Sequence, residues 1–460
     1  MEIYFCVREF GKIKSARINI SNFTVFIGEN NSGKTKLMEL IYGVLSWLSK
    51  FCPNIGTKFV DNKFTVGGEE IRKLIDSVNQ QLKKEKQKIV QEIFNRNIPV
   101  EEIRLEIEEI DCWYEIIYVD ESNLAEAYKK GLILDSEMSY ALRVDTLSNF
   151  IVGIKHSNDD QRILEKWKME FSKNIPKTLV SQIVMGEVLE NLLGLGTGLG
   201  EELLFLPASR MGLMLLYKDY FGKNYEDKDR VVREKYNVNI SQPMRDFLSF
   251  LLKYSYNELQ AEENFELIKF IEDNLINGKL DESSEVTIYK PKDSEVEVPL
   301  YLSSSMINEL DPIVKMLTSF KETKMLFYDE VETSMHPLKQ LELVKLLNRL
   351  NNAGIKIIMS THSETFVTKF NNMLLISYSH IFNGEKISIC KEQIKITEAD
   401  LLDSEEVNVY QFVNKADGTS EVEELEFRKT PYVGYSFAMF EDSASALYEE
   451  SKIALGIEKC

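Results

Sequence analysis

Three observations of this sequence predict an α/β chain: a mixed or parallel central sheet with flanking helices and a helical insertion. The amino end passes from strand-like alternation in SARINI and FTVFIG straight to helical periodicity in KTKLMELIYGVLSWLSKF. Far along the chain, the apolar runs KMLFYDE and GIKIIMSTHS bracket the helical pattern HPLKQLELVKLLNRLNNAG, which Gly354 ends. That is a βαβ unit, with parallel strands and a right-handed crossover. From about Gly212 to Leu280 the pattern is helical and charge-rich, including PMRDFLSFLLKYSY and NFELIKFIEDNL, and reads as an inserted lobe.

The remaining elements follow in order. Between Glu69 and Asn95 the apolar positions Ile71, Leu74, Ile75, Val78, Leu82, Ile89, Val90 and Ile93 mostly recur at three or four, with KKEKQK among them. An amphipathic helix with a solvated face results, far too short for a long coiled coil. CWYEIIYVD and ELLFLPASR read as strands, separated by mixed helical sequence. EVTIYKPKDSEVEVPLYL reads as a hairpin around KPKDSE, delivering the chain to the serines of YLSSSMINEL. After Lys391 a hairpin at NKADGTSE and a helix around FEDSASALYEESKIAL are expected.

Composition narrows the class. A chain of 460 residues with 44% hydrophobic residues can bury one large core or two to three ordinary ones. With 55 Lys+Arg against 74 Asp+Glu, the net charge of -19 argues against a surface that coats polyanions, so any DNA contact must be a local patch. Cys6, Cys52, Cys112, Cys390 and Cys460 are scattered, odd in number and without metal-ligand spacing, which fits a reducing cytosol. The first residues carry charges where a signal peptide needs an apolar core, and no run of about 18 apolar residues appears. A cytoplasmic protein without membrane contact is expected.

The motif GENNSGKT, Gly28 to Thr35, fits G-x-x-x-x-G-K-[ST], entered by a strand and left by a helix. Gly28 and Gly33 let the backbone curl, so that successive N–H groups through Asn30, Asn31 and Ser32 point at phosphate oxygens. Lys34 adds a point charge on the β and γ phosphates of ATP, and the Thr35 hydroxyl takes one place on Mg²⁺. A P-loop NTPase needs an acidic partner strand, and MLFYDEVE supplies Asp329 for Mg²⁺ and Glu330 to orient and deprotonate the attacking water. Paired acids also occur as ordinary strand-end charges; the P-loop is what gives these weight. STHSE places His362 at the carboxyl end of the next strand, where it could bond the γ-phosphate or water, or be a satisfied strand-end histidine.

FIGENNSGKT, LFYDEVETSMHP and STHSE, in that order with a long insert before the second, resemble the ABC-type ATPase heads of the SMC and OLD (overcoming lysogenization defect) class, of the AAA_15 and AAA_21 type. That class usually writes D-E-P-E followed by L-H-P; here Val331 and Met335 depart while Glu332, His336 and Pro337 match. The resemblance covers roughly residues 1 to 50 and 300 to 370. It says little about the residues between; taken with the patterns along the chain, the expected organisation is an ATPase head over 1–211 and 281–390, a helical insertion over 212–280 and a C-terminal accessory segment over 391–460. The resemblance also implies that His336 stands in a loop facing a partner subunit. In such heads a serine-led segment before the acidic strand contacts the γ-phosphate on the other subunit, and LSSSM, with Ser303, Ser304 and Ser305, occupies that place. Serine hydroxyls and a helix start are the right donors, although a solvated polar turn is the plain alternative. LPASR resembles a recurring element of these proteins, which makes Arg210 a phosphate or interface arginine or else a surface salt bridge.

OLD-family proteins often carry a Toprim nuclease with a D-x-D pair, which the residues after Ser360 lack. The resemblance therefore implies an ATPase similar to those of antiphage systems such as PARIS and Septu: a self-associating sensor and scaffold that controls a separately encoded effector nuclease. The alternatives are a DNA-repair ATPase that clamps DNA by ATP-dependent dimerisation, a non-hydrolysing interaction module and a transporter subunit. An intact Glu330 counts against the module, and the missing L-S-G-G-Q counts against the transporter.

Overall fold

The computed structural model describes residues 2–20, 22–53, 55, 58–143, 148–158, 163–195, 202–214, 240–282, 287–382, 395–429, 433–437 and 448–453. A nine-stranded sheet organises the chain. Its antiparallel side consists of β1 (Glu2–Phe10), β2 (Ile13–Asn19) and β5 (Glu102–Glu108). Its parallel side consists of β3 (Phe23–Gly28), β9 (Leu203–Leu206), β13 (Met325–Tyr328), β14 (Lys356–Thr361) and β15 (Val407–Asn414). Together with β16 (Ser420–Leu425) the order is β5-β1-β2-β16-β15-β3-β14-β13-β9. This is the mixed sheet with flanking helices that the sequence predicts.

Parallel strands covered on both faces must be apolar throughout, and every residue of β3, β9 and β13 is buried. Alternate residues serve opposite cores. Phe26, Phe205, Phe327 and Ile358 pack with α1 (Lys34–Leu48), α2 (Gly68–Phe94) and α5 (Lys177–Leu193). Val25, Ile27, Leu326, Tyr328 and Met359 pack with α9 (Ser305–Thr318), α10 (Pro337–Asn352) and α11 (Glu364–Phe382). β13, α10 and β14 form the expected βαβ unit, in register from Met325↔Lys356 to Tyr328↔Met359. Among the described residues 240–280 the helices are α6 (Gln242–Lys253), α7 (Glu258–Glu263) and α8 (Phe265–Phe270), the last continuing as a π-helical turn over Ile271–Ile276. Residues 215–239 lie outside the described residues.

Two expectations are corrected. The stretch between CWYEIIYVD and ELLFLPASR is not simply helical. Beside α3 (Leu124–Lys129), α4 (Asp135–Arg143) and α5 it holds β7 (Ser148–Ser157) and β8 (Ile163–Ser172). With β4 (Lys63–Val66) and β6 (Cys112–Val119) these make an antiparallel four-stranded sheet, order β4-β6-β7-β8. Lysines and glutamates give β8 a helix-like composition, but Trp167, Met169 and Phe171 alternate with Lys166, Lys168 and Glu170, and period two is the stronger signal. The segment after residue 391 is not accessory either: its hairpin adds β15 and β16 inside the main sheet, with β15 parallel to β3. A hairpin is legible locally, whereas its insertion beside a strand nearly 400 residues earlier depends on long-range pairing. The expected helix beyond it lies largely outside the described residues; 448–453 are helical.

The hairpin at KPKDSE is present, pairing β11 (Ile288–Pro291) with β12 (Val298–Pro299) beside β10 (Gly278–Asp281). Among the described residues no helix is long and apolar enough to cross a membrane. Cys6, Cys52 and Cys112 are free thiols; Cys390 and Cys460 lie outside the described residues.

Candidate active site

The carboxyl ends of β3, β9, β13 and β14 emerge side by side, and the loops leaving them carry the sequence motifs. Crevices at such strand ends are where open α/β sheets bind ligands. The loop after β3 begins at Gly28, whose φ is 146°, and ends at Gly33, φ 101°, which caps the amino end of α1 in the left-handed conformation. Asn31 between them is also left-handed, φ 57°. A Cβ at Gly28 would lie 2.4 Å from the carbonyl oxygen of Phe412, its register partner on β15. The glycine therefore serves two ends: loop curvature and the close passage of the last parallel strand.

Lys34, the first residue of α1, is 5% exposed and donates to the carbonyls of Gly28 (2.9 Å) and Glu29 (2.8 Å) and to the Ser32 hydroxyl (3.3 Å). Burial lowers its pKa to about 8, against the opposing pull of Asp329, Glu330, Glu332 and Glu29. The Thr35 hydroxyl donates to the Asp329 carboxylate, 3.0 Å to each oxygen, and Ser360 Oγ donates to Asp329 Oδ1 at 2.6 Å. Asp329 is 1% exposed, and burial raises its pKa while these hydroxyls pull it down. A buried carboxylate held by hydroxyls, with no ion pair within 4 Å among the described residues, is a place where a divalent cation would relieve the desolvation cost. Thr35 Oγ1 and Asp329 are hard oxygen donors suited to Mg²⁺, which typically takes one or two carboxylates and completes its shell with water and phosphate. Among the described residues no cluster of three or more His, Cys, Asp or Glu side chains could hold a metal alone, so phosphate oxygens would have to share the ion.

Glu330 adopts φ 47°, and its N–H donates to Ser360 Oγ at 2.9 Å. Its carboxylate remains 41% exposed and lies 4.0 Å from His362 Nε2. Burial, then the Lys34 charge, holds the His362 pKa below the usual histidine range, so the ring is neutral at neutral pH and can accept or donate. The backbone N–H of His362 donates to Glu332 Oε1 at 2.6 Å, which ties the β14 loop to the β13 loop. The valine that departs from the class pattern gains a bond there: the Val331 N–H donates to the Ser360 carbonyl at 3.1 Å, which a proline could not do. His336 caps α10, its Nδ1 accepting from the Leu338 N–H at 3.3 Å, and is exposed.

The P-loop, Asp329, Glu330 and His362 are thus brought together, while among the described residues no hydrogen bond ties the three serines to them. Ser304 is the N-cap residue of α9. The Ser303 hydroxyl is committed locally, donating to the Leu300 carbonyl at 2.6 Å and accepting from Asn308 Nδ2 at 3.1 Å. Ser304 and Ser305 are exposed, and no hydrogen bond joins either side chain to Gly28–Thr35 among the described residues. Arg210 fits neither expectation: it is 0% exposed, so it is neither a surface salt bridge nor open to a partner. Several supporting residues lie beyond those the motifs single out. Ser360 touches both Asp329 and Glu330. Lys12 donates to the Asn31 carbonyl at 2.8 Å, and Asn414 donates to Glu29 Oε2 at 2.7 Å. The strand-end position of Ser360 within STHSE is the one signal that marks it in sequence.

A mixed sheet that presents a P-loop and an acidic strand end at the carboxyl ends of neighbouring parallel strands defines a P-loop ATPase. The chain belongs to the family described as the AAA ATPase domain, whose model matches residues 3–184 and 218–367. Among solved structures it is similar to an SMC head bound to the C-winged helix domain of ScpA, at 12% identity and TM-score 0.36 over 93% of this chain and 98% of that one. It is also similar to the SMC head domain from Thermotoga maritima, at 12% identity and TM-score 0.33 over 93% and 100%. A third is an SMC head with an extended coiled coil bound to the C-terminal domain of ScpA derived from Pyrococcus furiosus, at 12% identity and TM-score 0.34 over 98% and 99%. No curated protein matches the chain.

Proposed function

We propose that this protein hydrolyses ATP with Mg²⁺ in a site shared between copies of the chain, and that ATP-dependent assembly lets it act as sensor and scaffold for a separately encoded effector nuclease in bacterial antiphage defence. Lys34 and the loop N–H groups from Gly28 to Thr35 hold the phosphates. Thr35 and Asp329 hold the Mg²⁺, which when bound neutralises charge on the phosphates. Glu330 takes the proton of the attacking water, and neutral His362 positions that water or the γ-phosphate. The 212–280 helices are read as an inserted lobe on this head.

The observation that carries assembly is the start of α9. Ser304 and Ser305 are exposed at a helix N-terminus, a ready anion site, yet among the described residues no hydrogen bond joins them to the P-loop of their own chain. Tyr301 and Leu302 beside them are 60% and 66% exposed, as apolar contacts at a subunit interface would be in a lone chain. The defence role rests on the resemblance of the motifs to antiphage ATPases.

Mixing tests the composite site. Ser304→Arg and Lys34→Ala subunits should each be inactive, and a 1:1 mixture should recover about a quarter of wild-type hydrolysis if two copies pair at random. No recovery in mixtures that still associate would overturn it. The scaffold role is tested by purification with the product of the neighbouring gene. A nuclease retained in ATP by wild-type protein and lost with Lys34→Ala is expected, and equal retention by both overturns ATP control.

A further inference from the structure

The peptide between Asp329 and Glu330 is held at both of its polar atoms. Its N–H donates to Ser360 Oγ at 2.9 Å, and its carbonyl accepts from Arg210 Nη1 at 3.1 Å. Arg210 follows β9, wholly buried. Nη1 also donates to the Pro207 carbonyl at 3.0 Å, and the guanidinium centre lies 4.7 Å from the Tyr328 ring centroid. On its other side Arg210 Nε is ion-paired with Glu309, which is 1% exposed and sits early in α9, the helix that Ser304 caps. A non-glycine residue held at φ 47° persists only where its surroundings over-determine it, and here the two clamps do so for Glu330.

We propose that Arg210, held by Glu309, is a positioning residue for hydrolysis: it fixes the Asp329–Glu330 peptide and so makes the aim of Glu330 depend on where α9 stands. The proposal rests on Glu330 being the base and goes beyond it by connecting that base to the serine-led helix. Every residue of α9 from Ile307 to Thr318 is buried. Its Lys315 is bonded to Glu282 Oε1 (2.9 Å), Thr287 Oγ1 (2.8 Å) and Asp311 Oδ1 (2.5 Å). A helix so enclosed shifts as a body rather than by side-chain rotation, because close-packed interiors transmit displacement. A phosphate engaged by Ser304 and Ser305 would therefore be felt at Glu309, at Arg210 and at the peptide that aims Glu330. Displacements of about 1 Å at a reacting group are worth up to about a hundredfold in rate.

The test uses the full chain with Glu309→Gln, which keeps the volume and removes the charge, and Arg210→Lys, which keeps the charge and removes the fork. For each, the affinity for a fluorescent ATP analogue, the single-turnover hydrolysis rate and the melting temperature are measured, alone and combined with Glu330→Gln. The expected result is a fall in rate of about tenfold or more with affinity changed less than about twofold, and no further fall in the Glu330→Gln background, because the pair acts through that residue. Wild-type rates in both variants, a loss that tracks affinity, or a loss that multiplies undiminished onto Glu330→Gln would each overturn the proposal. If neither variant folds, the pair is structural and the proposal fails. Normal turnover in Glu330→Gln alone is a different failure, that of Glu330 as base.

Discussion

At the scale of single residues the site shows how little of a catalytic arrangement lies in its signature positions. Glu330 is named by its place after an apolar strand, yet the peptide before it is bonded by Ser360 and Arg210 and its φ is left-handed. Replacing Glu330 with Gln should leave ATP binding intact and slow hydrolysis about a hundredfold, the usual scale for losing a general base, as read by phosphate release under saturating ATP. Lys34→Ala should reduce ATP binding below detection in a nucleotide titration, since the lone buried cation of the P-loop goes with it. Gly28→Ala brings a methyl 2.4 Å from the Phe412 carbonyl at a φ that L residues avoid, and should cost about 1–3 kcal/mol of stability in urea unfolding. The P-loop, Asp329, Glu330 and His362 were legible because each is a residue type at a strand end. Ser360 was legible only as a letter in STHSE, and Lys12 and Asn414 not at all, because their contacts join segments remote in sequence.

At the scale of elements, α5 carries an electrostatic cost. Glu187 and Glu190 are 5% and 7% exposed; burial, with Glu202 nearby, raises their pKa values to about 7 and about 8. The folded chain therefore holds protons there that the unfolded chain releases above the ordinary glutamate range. Stability from these groups is full below about pH 4.5 and is lost as pH rises through about 7 to 8, because folding then requires bare charge in an apolar core. The melting temperature should fall between pH 6 and pH 9, and Glu187→Gln with Glu190→Gln should flatten that fall, recovering on the order of a few kcal/mol at the alkaline end. A slope unchanged by the double substitution would remove α5 as its source. The helix itself was missed in detail, as were β7 and β8, since mixed charged sequence satisfies helix and strand patterns until the period is counted.

At the scale of the whole molecule the main sheet is completed in its interior by its last strands. β16 and β15 lie between β2 and β3, so the amino-terminal antiparallel strands join the parallel core through a hairpin from the other end of the chain. Removing residues 407–425 should therefore do more than trim a tail. Phe26 would lose the rings of Tyr410 and Phe412, 6.1 and 5.1 Å away, and β3 would become an unpaired hydrophobic edge. Insolubility or loss of cooperative unfolding is expected, and a soluble truncation that unfolds like the full chain would contradict that role. The sequence by itself determined the local and periodic features: the P-loop between strand and helix, the acidic strand end, the βαβ unit and the helix that follows the serines. Each is encoded within one or two elements, where steric and hydrophobic patterns act over short separations. Only the tertiary structure decided that the tail is a core hairpin, that Arg210 is buried behind the acidic strand, and that, among the described residues, no hydrogen bond joins Ser304 or Ser305 to their own P-loop. Those outcomes depend on strand order and on side chains meeting across hundreds of residues, which periodicity cannot encode.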